Sequence, residues 1–245
     1  MNNLLVLQSD FGLVDGAGSA MIGGALEESP TLKIHHLTHD ITPYNIFEGS
    51  YRLFQTVNYW PAGTTFVSVV DPGVGSKRKS VVAKTKKGQY IVTPDNGTLS
   101  FIKKHVGIEA IREISEVENR RKNTEHSYTF HGRDVYAYTG AKLASGHISF
   151  EEVGPELKVE DIVEIQVVET TIADNYVSGA IDILDVRFGS LWTSITREEF
   201  CTLKPEFGDR FEVTIYNNDM LVYQNQVTYG KSFADVRIGQ PILYI

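Results

Sequence analysis

The chain contains a single cysteine, Cys201, so no disulfide can close within it and a thiolate metal site has no basis. Cys201 reads as a small core residue. Long apolar runs are also absent. Stretches such as Thr65 to Val70 and Ile242 to Ile245 fall far below the roughly 18 residues that cross a bilayer, so no membrane association is expected. The start, Met1-Asn2-Asn3-Leu4, has neither the basic nor the long apolar stretch of a secretory leader, and a cytoplasmic location is expected. There is no basic excess, because 23 Lys and Arg stand against 31 Asp and Glu, giving a formal charge of −8. Nucleic acid is therefore not an expected partner. His35, His36 and His39 lack companion ligands at a recognised spacing, so no metal is expected and they read as loop or core histidines.

What is present suits an ordinary globular fold: 245 residues with 42% hydrophobic content, enough for one large or two smaller domains. Residues 4–8 form a short apolar run that breaks at Ser9-Asp10-Phe11-Gly12, the pattern of a buried strand entering a polar loop. A helix is expected over 18–28, a strand over Leu32 to His36 and a helix over Phe47 to Tyr59. Thr65 to Val70 is β-prone and stops at Asp71-Pro72-Gly73-Val74-Gly75, where proline and glycine enforce a loop. Strands over Ser80 to Thr85 and Gln89 to Thr93 lead to the turn Pro94-Asp95-Asn96-Gly97 and a helix over Thr98 to Lys104. This alternation continues to about residue 148 and predicts an α/β sheet flanked by helices. Asp10, Asp71 and Asp95 each fall just past a strand, where open α/β sheets gather their ligands.

After Gly154-Pro155 the pattern changes to short strands joined by polar turns: Ile162 to Val168, Tyr176 to Asp182, Phe211 to Tyr216 and Met220 to Tyr223. Asn217-Asn218-Asp219 suits a hairpin tip. The division expected is an N-terminal α/β domain over 1–160 and a smaller all-β domain over 170–245.

Some motifs carry no weight. Asp10-Phe11-Gly12 matches a kinase tripeptide without the glycine-rich loop and strand lysine that must precede it. Gly16-Ala17-Gly18 starts like a dinucleotide fingerprint, but the next glycine is Gly23. Asn96-Gly97-Thr98 reads as turn chemistry rather than a glycosylation site. More informative is the loop from Asp71 to Arg78, which puts a carboxylate and a guanidinium at opposite ends of a tight turn. Spacing alone allows either a loop staple or a catalytic pair. Phe130-His131-Gly132-Arg133-Asp134 opens a helical stretch, with an imidazole where the dipole discourages protonation. His131 could be structural or could take a proton from water.

Taken in order, Ser9-Asp10-Phe11-Gly12, Asp71-Pro72-Gly73-Val74-Gly75, Pro94-Asp95-Asn96-Gly97, Phe130-His131-Gly132-Arg133-Asp134, Asp185-Val186-Arg187-Phe188-Gly189-Ser190-Leu191-Trp192-Thr193 and Ser232-Phe233-Ala234-Asp235 span nearly the whole chain. In these motifs the chain resembles the S-adenosylmethionine (SAM) hydroxide adenosyltransferases, the adenosine-forming SAM hydrolases related to the fluorinase and chlorinase. The resemblance implies an N-terminal α/β domain of sandwich type with a C-terminal β-barrel-like domain, assembled as a homotrimer with sites between subunits. It implies hydrolysis of SAM, as substrate and with no cofactor, to adenosine and methionine. A water-activating triad is implied at Asp71, Arg78 and His131. Asp10 is implied to grip the ribose hydroxyls, with Phe11 beside it, and Asp185 to hold the methionine ammonium. Phe188 and Phe233 are implied walls around the nucleoside. Ser190 stands where the family more often has Asn, and Tyr44 where the fluorinase is aromatic. Relatives continue past the position of Ile245 into an Asn-Ser-x-Gly segment of the adenine pocket, which leaves two alternatives open: a sequence that is incomplete at this end, or a less fully closed adenine site.

The chemistry suits such residues. A sulfonium releases a neutral thioether, so the leaving side needs no general acid and the task is to activate water with a base and positive charge. Halogenating relatives carry Tyr where Asp71 stands, which disfavours the alternative of an adenosyl-halide-forming enzyme. A SAM- or adenosine-binding module without turnover is the other alternative.

Overall fold

The computed structural model describes residues 2–245 and divides the chain into two units, Met1–Gln166 and Val167–Ile245. The fold is mixed α/β. In the first unit the strands are β1 (Leu4–Ser9), β2 (Lys33–Thr38), β3 (Thr65–Val69), β4 (Ser80–Thr85), β5 (Tyr90–Pro94), β6 (Ile108–Glu113) and β7 (Glu156–Leu157). They form one seven-stranded sheet in the order β2-β1-β3-β5-β4-β6-β7. β2, β1, β3 and β5 run parallel, while β4, β6 and β7 are antiparallel to their neighbours.

Period-two alternation sends side chains to both faces, and helices cover both. Leu5 and Leu7 of β1 and Val67 and Val69 of β3 pack with Met21 and Ala25 of α1 (Ala17–Glu28) and with residues 135–144. Val6 and Phe66 face the other way, onto Leu53 and Val57 of α2 (Ile46–Val57) and Ile102 of α3 (Ser100–His105). Asn45 starts α2 by accepting a hydrogen bond from the Glu48 N–H with its side chain, one residue ahead of the predicted start. Two shorter helices, α4 (Glu116–Asn119) and α5 (Tyr138–Ser145), bracket a π-helical turn at Gly132–Ala137.

The chain leaves β1 through α1 to reach β2 on one side, then returns through α2 to β3 on the other. The strand order therefore reverses between β1 and β3, and their carboxyl ends carry Asp10 and Asp71. A crevice at such a reversal is the expected ligand position.

In the second unit, β8 (Thr171–Ala173) pairs with β9 (Tyr176–Ser178), and β10 (Ile181–Asp185) with β11 (Ser190–Thr193). β12 (Arg210–Asn217) and β13 (Met220–Tyr229) form a hairpin that gains β14 (Ile242–Leu243). Its tip falls at Asn218-Asp219, within the predicted turn, with Asn218 at φ 53°. Phe200, Phe207, Phe211 and Tyr229 form an aromatic cluster in this unit.

Several expectations need correction. The second unit is not all-β, because Thr196 and Glu199 form a reciprocal capping box that nucleates α6 (Arg197–Phe200). Among the described residues its strands form separate small sheets rather than one closed barrel. Residues 162–168 form no strand. The N–H of Val163 donates to Asp95 Oδ1 and that of Ile165 to Ser100 Oγ, so side chains take donors that a neighbouring strand would otherwise need. Tyr176 to Asp182 is split between β9 and β10. Cys201 is exposed, outside any core.

Candidate active site

A cleft of about 270 Å³ opens at the carboxyl ends of β1 and β3, lined by Asp10, Phe11, Pro43, Tyr44, Val69, Asp71, Val74, Thr129, Phe130 and Gly132. Four of the expected site residues, Asp10, Phe11, Tyr44 and Asp71, thus share one concavity. Asp10 Oδ2 accepts a hydrogen bond of 2.8 Å from the Tyr44 backbone N–H. Tyr44 sits at φ 66°, a left-handed conformation costly for a bulky residue, so the Asp10 contact helps hold a strained loop. Phe11 meets Phe130 edge to face at 5.9 Å, and together they form an apolar wall. Gly132 lies beneath Phe11, where an added Cβ would come within 3.0 Å of the ring.

Asp71 lies two residues past β3, on a loop whose tip turns at Gly75, φ 78°. Behind the carboxylate stands Arg78. Its Nε donates to both Asp71 oxygens at 3.0 Å and its Nη2 to Oδ2 at 2.6 Å. The two side chains are only 10% and 5% exposed, so the ion pair is largely shielded from water. Tyr136 Oη adds a longer bond of 3.4 Å to Oδ2, leaving Oδ1 the less encumbered oxygen. Burial first, and then the Asp71 carboxylate, push the Tyr136 phenol well above its usual range, so it remains a donor.

His131 is the residue before the π-helical turn. That turn is fixed by Asp134, fully buried and paired in a forked contact with Arg133, whose guanidinium also lies over the Phe130 ring. The ring Nδ1 of His131 is 3.0 Å from Arg78 Nη2, and its Nε2 is 3.1 Å from Arg120 Nη2. Its pKa is lowered from 6.5. Burial is the largest cause, Arg78 and Arg120 act in the same direction, and Glu116 and Asp71 oppose them. Neither His131 nor Arg78 is part of the cleft lining. Asp71, Arg78 and His131 are therefore joined in a line, with Asp71 at the cleft end.

Sequence reasoning missed the remainder of this network. Arg78 Nη1 donates to Ser80 Oγ at 3.0 Å, Ser80 Oγ donates to Glu116 Oε1 at 2.9 Å, and Glu116 Oε2 accepts from Arg120 at 3.2 Å. Ser80 starts β4, Glu116 and Arg120 begin and follow α4, and no spacing in the chain links them to Asp71. Phe130 and Val74 already lie within the motifs, and Thr129 and Pro43 adjoin Phe130 and Tyr44 in the chain.

The other expected residues belong to the second unit. Asp185 and Ser190 face each other across the β10–β11 hairpin, and Phe188 at its tip is exposed. Ser190 Oγ is 3.3 Å from Tyr244 Oη, and Phe233 meets the Tyr244 ring edge to face at 5.1 Å. Tyr244, unremarked in the sequence, therefore joins Ser190 and Phe233 into one patch.

Among the described residues, no cluster of three or more His, Cys, Asp or Glu side chains could hold a metal ion, and no helix is long and apolar enough to cross a membrane.

Comparison with known families and structures gives a consistent result. Residues 5–154 match the model of the SAM hydroxide adenosyltransferase N-terminal domain, and residues 179–245 that of the C-terminal domain. An (R)-S-adenosyl-L-methionine hydrolase of Methanocaldococcus jannaschii is 38% identical over 164 residues, 65% of this chain and 60% of that protein. The chain thus spans less than two thirds of that relative in the aligned region. A protein of the same name from Thermus thermophilus is 29% identical over 97% of this chain and 86% of its own length. A fluorinase of Actinoplanes sp. is 28% identical over 100% and 88%. A crystal structure of an uncharacterized conserved protein from Thermotoga maritima superposes with a TM-score of 0.90 at 30% identity, covering 98% of this chain and 88% of that one.

Proposed function

The chain belongs to the SAM hydroxide adenosyltransferase family, and from that premise we propose that it hydrolyses S-adenosyl-L-methionine to adenosine and L-methionine. The observation that carries this reading is the place of Asp71: a carboxylate at the carboxyl end of β3, lining the cleft and gripped from behind by Arg78.

In this reading a water molecule rests against Asp71 Oδ1. As its oxygen bonds to the ribose 5′ carbon, the bond from that carbon to sulfur breaks. The electron pair stays on sulfur, and methionine leaves as a neutral thioether. The water proton passes to Asp71 and on to solvent. Arg78 stabilises the charge that develops on the nucleophile, and the lined-up His131 fixes the direction of Arg78. His131 acts through Arg78 rather than on water directly, because both its nitrogens face guanidinium groups. Attack on a cation disperses charge, so a cleft walled by Phe11 and Phe130 favours the transition state over hydrated reactants.

Asp10 holds the ribose hydroxyls, and Tyr44 closes over the sugar. Asp185 binds the ammonium of methionine, while Phe188, Ser190 and Phe233 serve the adenine end. The same proposal includes a homotrimer with sites between subunits and a cytoplasmic location. Clamping the substrate at both ends would hold the 5′ carbon in line for attack.

The test is product analysis after incubation with SAM in chloride buffer. Adenosine and methionine, lost in Asp71→Ala, support the proposal. A 5′-chloro nucleoside would replace it with halide transfer, and unchanged SAM would leave a binding module.

A further inference from the structure

His131 lies between two guanidinium groups, and the ring cannot satisfy both. Arg78 Nη2 approaches Nδ1 at 3.0 Å and Arg120 Nη2 approaches Nε2 at 3.1 Å. Guanidinium nitrogens only donate, whereas a neutral imidazole offers one lone pair and one N–H. An imidazolium would be worse placed, with both its N–H groups aimed at cations.

Arg120 is no loosely held surface side chain. Its Nη1 donates to the carbonyls of Thr124 and Ser127 at 3.1 and 3.0 Å, and its Nη2 pairs with Glu116 at 3.2 Å. Glu116 is itself tied through Ser80 to Arg78. The two arginines are thus linked twice, once through the imidazole and once through Ser80 and Glu116. The charged groups that act on the ring are Asp71 and Arg78 from the β3–β4 loop and Glu116 and Arg120 from α4 and its end, with Tyr136 of the π-helical turn lying against Arg78.

We propose that Arg120 is a second positioning residue of the site: anchored by Glu116 and two carbonyls, it sets a guanidinium against Nε2 while Arg78 faces Nδ1, so that neither ring nitrogen can take up a second proton without pointing it at a cation and His131 is held neutral. The consequence for catalysis rests on the SAM hydrolase reading. A ring that stays neutral keeps Arg78 aimed at Asp71, and a ring that gains a proton repels it. Arg120 is not part of the cleft lining and acts through His131.

The test separates this proposal from the reading beneath it. Magnetic resonance of isotope-labelled histidine in the intact protein follows the His131 ring against pH without any need for turnover. In wild type the ring is expected to titrate below pH 6.5. In Arg120→Met, with the Glu116 carboxylate left unpaired beside it, the titration midpoint is expected to rise by about one pH unit. Arg120→Lys, which keeps the charge, restores part of the difference. Glu116→Gln, a second variant should Arg120→Met fail to fold, lowers the midpoint because it removes the nearby negative charge. Given turnover, the acid limb of the kcat/KM profile moves with the ring in each variant. A His131 titration unchanged in both Arg120→Met and Glu116→Gln overturns the proposal. Loss of thermal stability alone, with the titration fixed, also overturns it, since a merely structural role predicts that pattern. A wild type that does not cleave SAM would refute the hydrolase reading while the ring titration still decides the role of Arg120.

Discussion

Arg78 Nη2 and His131 Nδ1 are 3.0 Å apart although 53 positions separate them in the chain. Arg78 also contributes three contacts to Asp71, so one side chain fixes both ends of the line. Arg78→Ala is expected to lower kcat at least about 100-fold, with a smaller change in KM, because the lost interaction acts on the developing nucleophile. Arg78→Lys should recover little, since an ammonium cannot reproduce the fork that meets Asp71, Ser80 and His131 together. Steady-state assays of adenosine release check both; wild-type rates in either variant would remove Arg78 from the mechanism.

Stability should fall on mild acidification. His131 and His39 both have folded pKa values lowered from 6.5, with burial the largest cause in each; His39 adds repulsion from His36, opposed by Asp40. Below pH 6.5 the unfolded chain then binds more protons than the folded one. The stabilisation is fully present above that value and is lost as pH falls through the lowered folded values. Melting temperatures at pH 7.5 and 5.5 should show the drop, and His131→Asn should make it shallower. An equal slope in the variant would contradict the assignment.

Gly132→Val should raise KM strongly. Even a Cβ at this position approaches the Phe11 ring to 3.0 Å, and two further methyl groups must displace that ring into the cleft. The expected loss in kcat/KM is about 10- to 100-fold, comparable to steric misplacement at other sites. Gly132→Ala should cost less. Substrate titration of both variants gives the order, and equal KM values in wild type and Gly132→Val would refute the cleft as the substrate site.

Tyr44→Gly separates strain from binding. The left-handed conformation at φ 66° costs a tyrosine roughly 1 kcal/mol, while glycine adopts it freely but loses more chain entropy on folding. Thermal stability is therefore expected to change by no more than about 1 kcal/mol. KM should nonetheless rise, because the aromatic side chain that lines the cleft is gone. A Tm drop with unchanged KM would show that Tyr44 is structural only.

The fold was most legible where burial writes a simple pattern. β1 and β3 are covered on both faces, so Leu4 to Gln8 and Thr65 to Val70 read as short continuous apolar stretches, and the loops after them placed Asp10 and Asp71 at strand ends. Residues 162–168 misled for the same reason: an apolar stretch does not say whether its N–H groups will meet a strand or, as here, Asp95 and Ser100. Within the site, the motifs marked the loop of Asp71 and the turn of His131. Ser80, Glu116 and Arg120 left no trace, because their relation to His131 exists only once β4, α4 and the π-helical turn are folded side by side. Tyr244 likewise acquires meaning only through its contacts with Ser190 and Phe233.

The π-helical turn at Gly132–Ala137 has a consequence for how this chain can vary. Such a turn carries one residue more than an α-helical turn, and each residue of an α-helix advances the side-chain direction by about 100°. Deleting one residue there would restore regular winding and rotate everything upstream relative to α5. The buried face of α5 would keep its seat on the sheet while the imidazole swung out of line with Arg78. The extra residue therefore works as a phase adjuster, allowing a helix to satisfy the packing of the sheet at one end and the direction of a reactive side chain at the other.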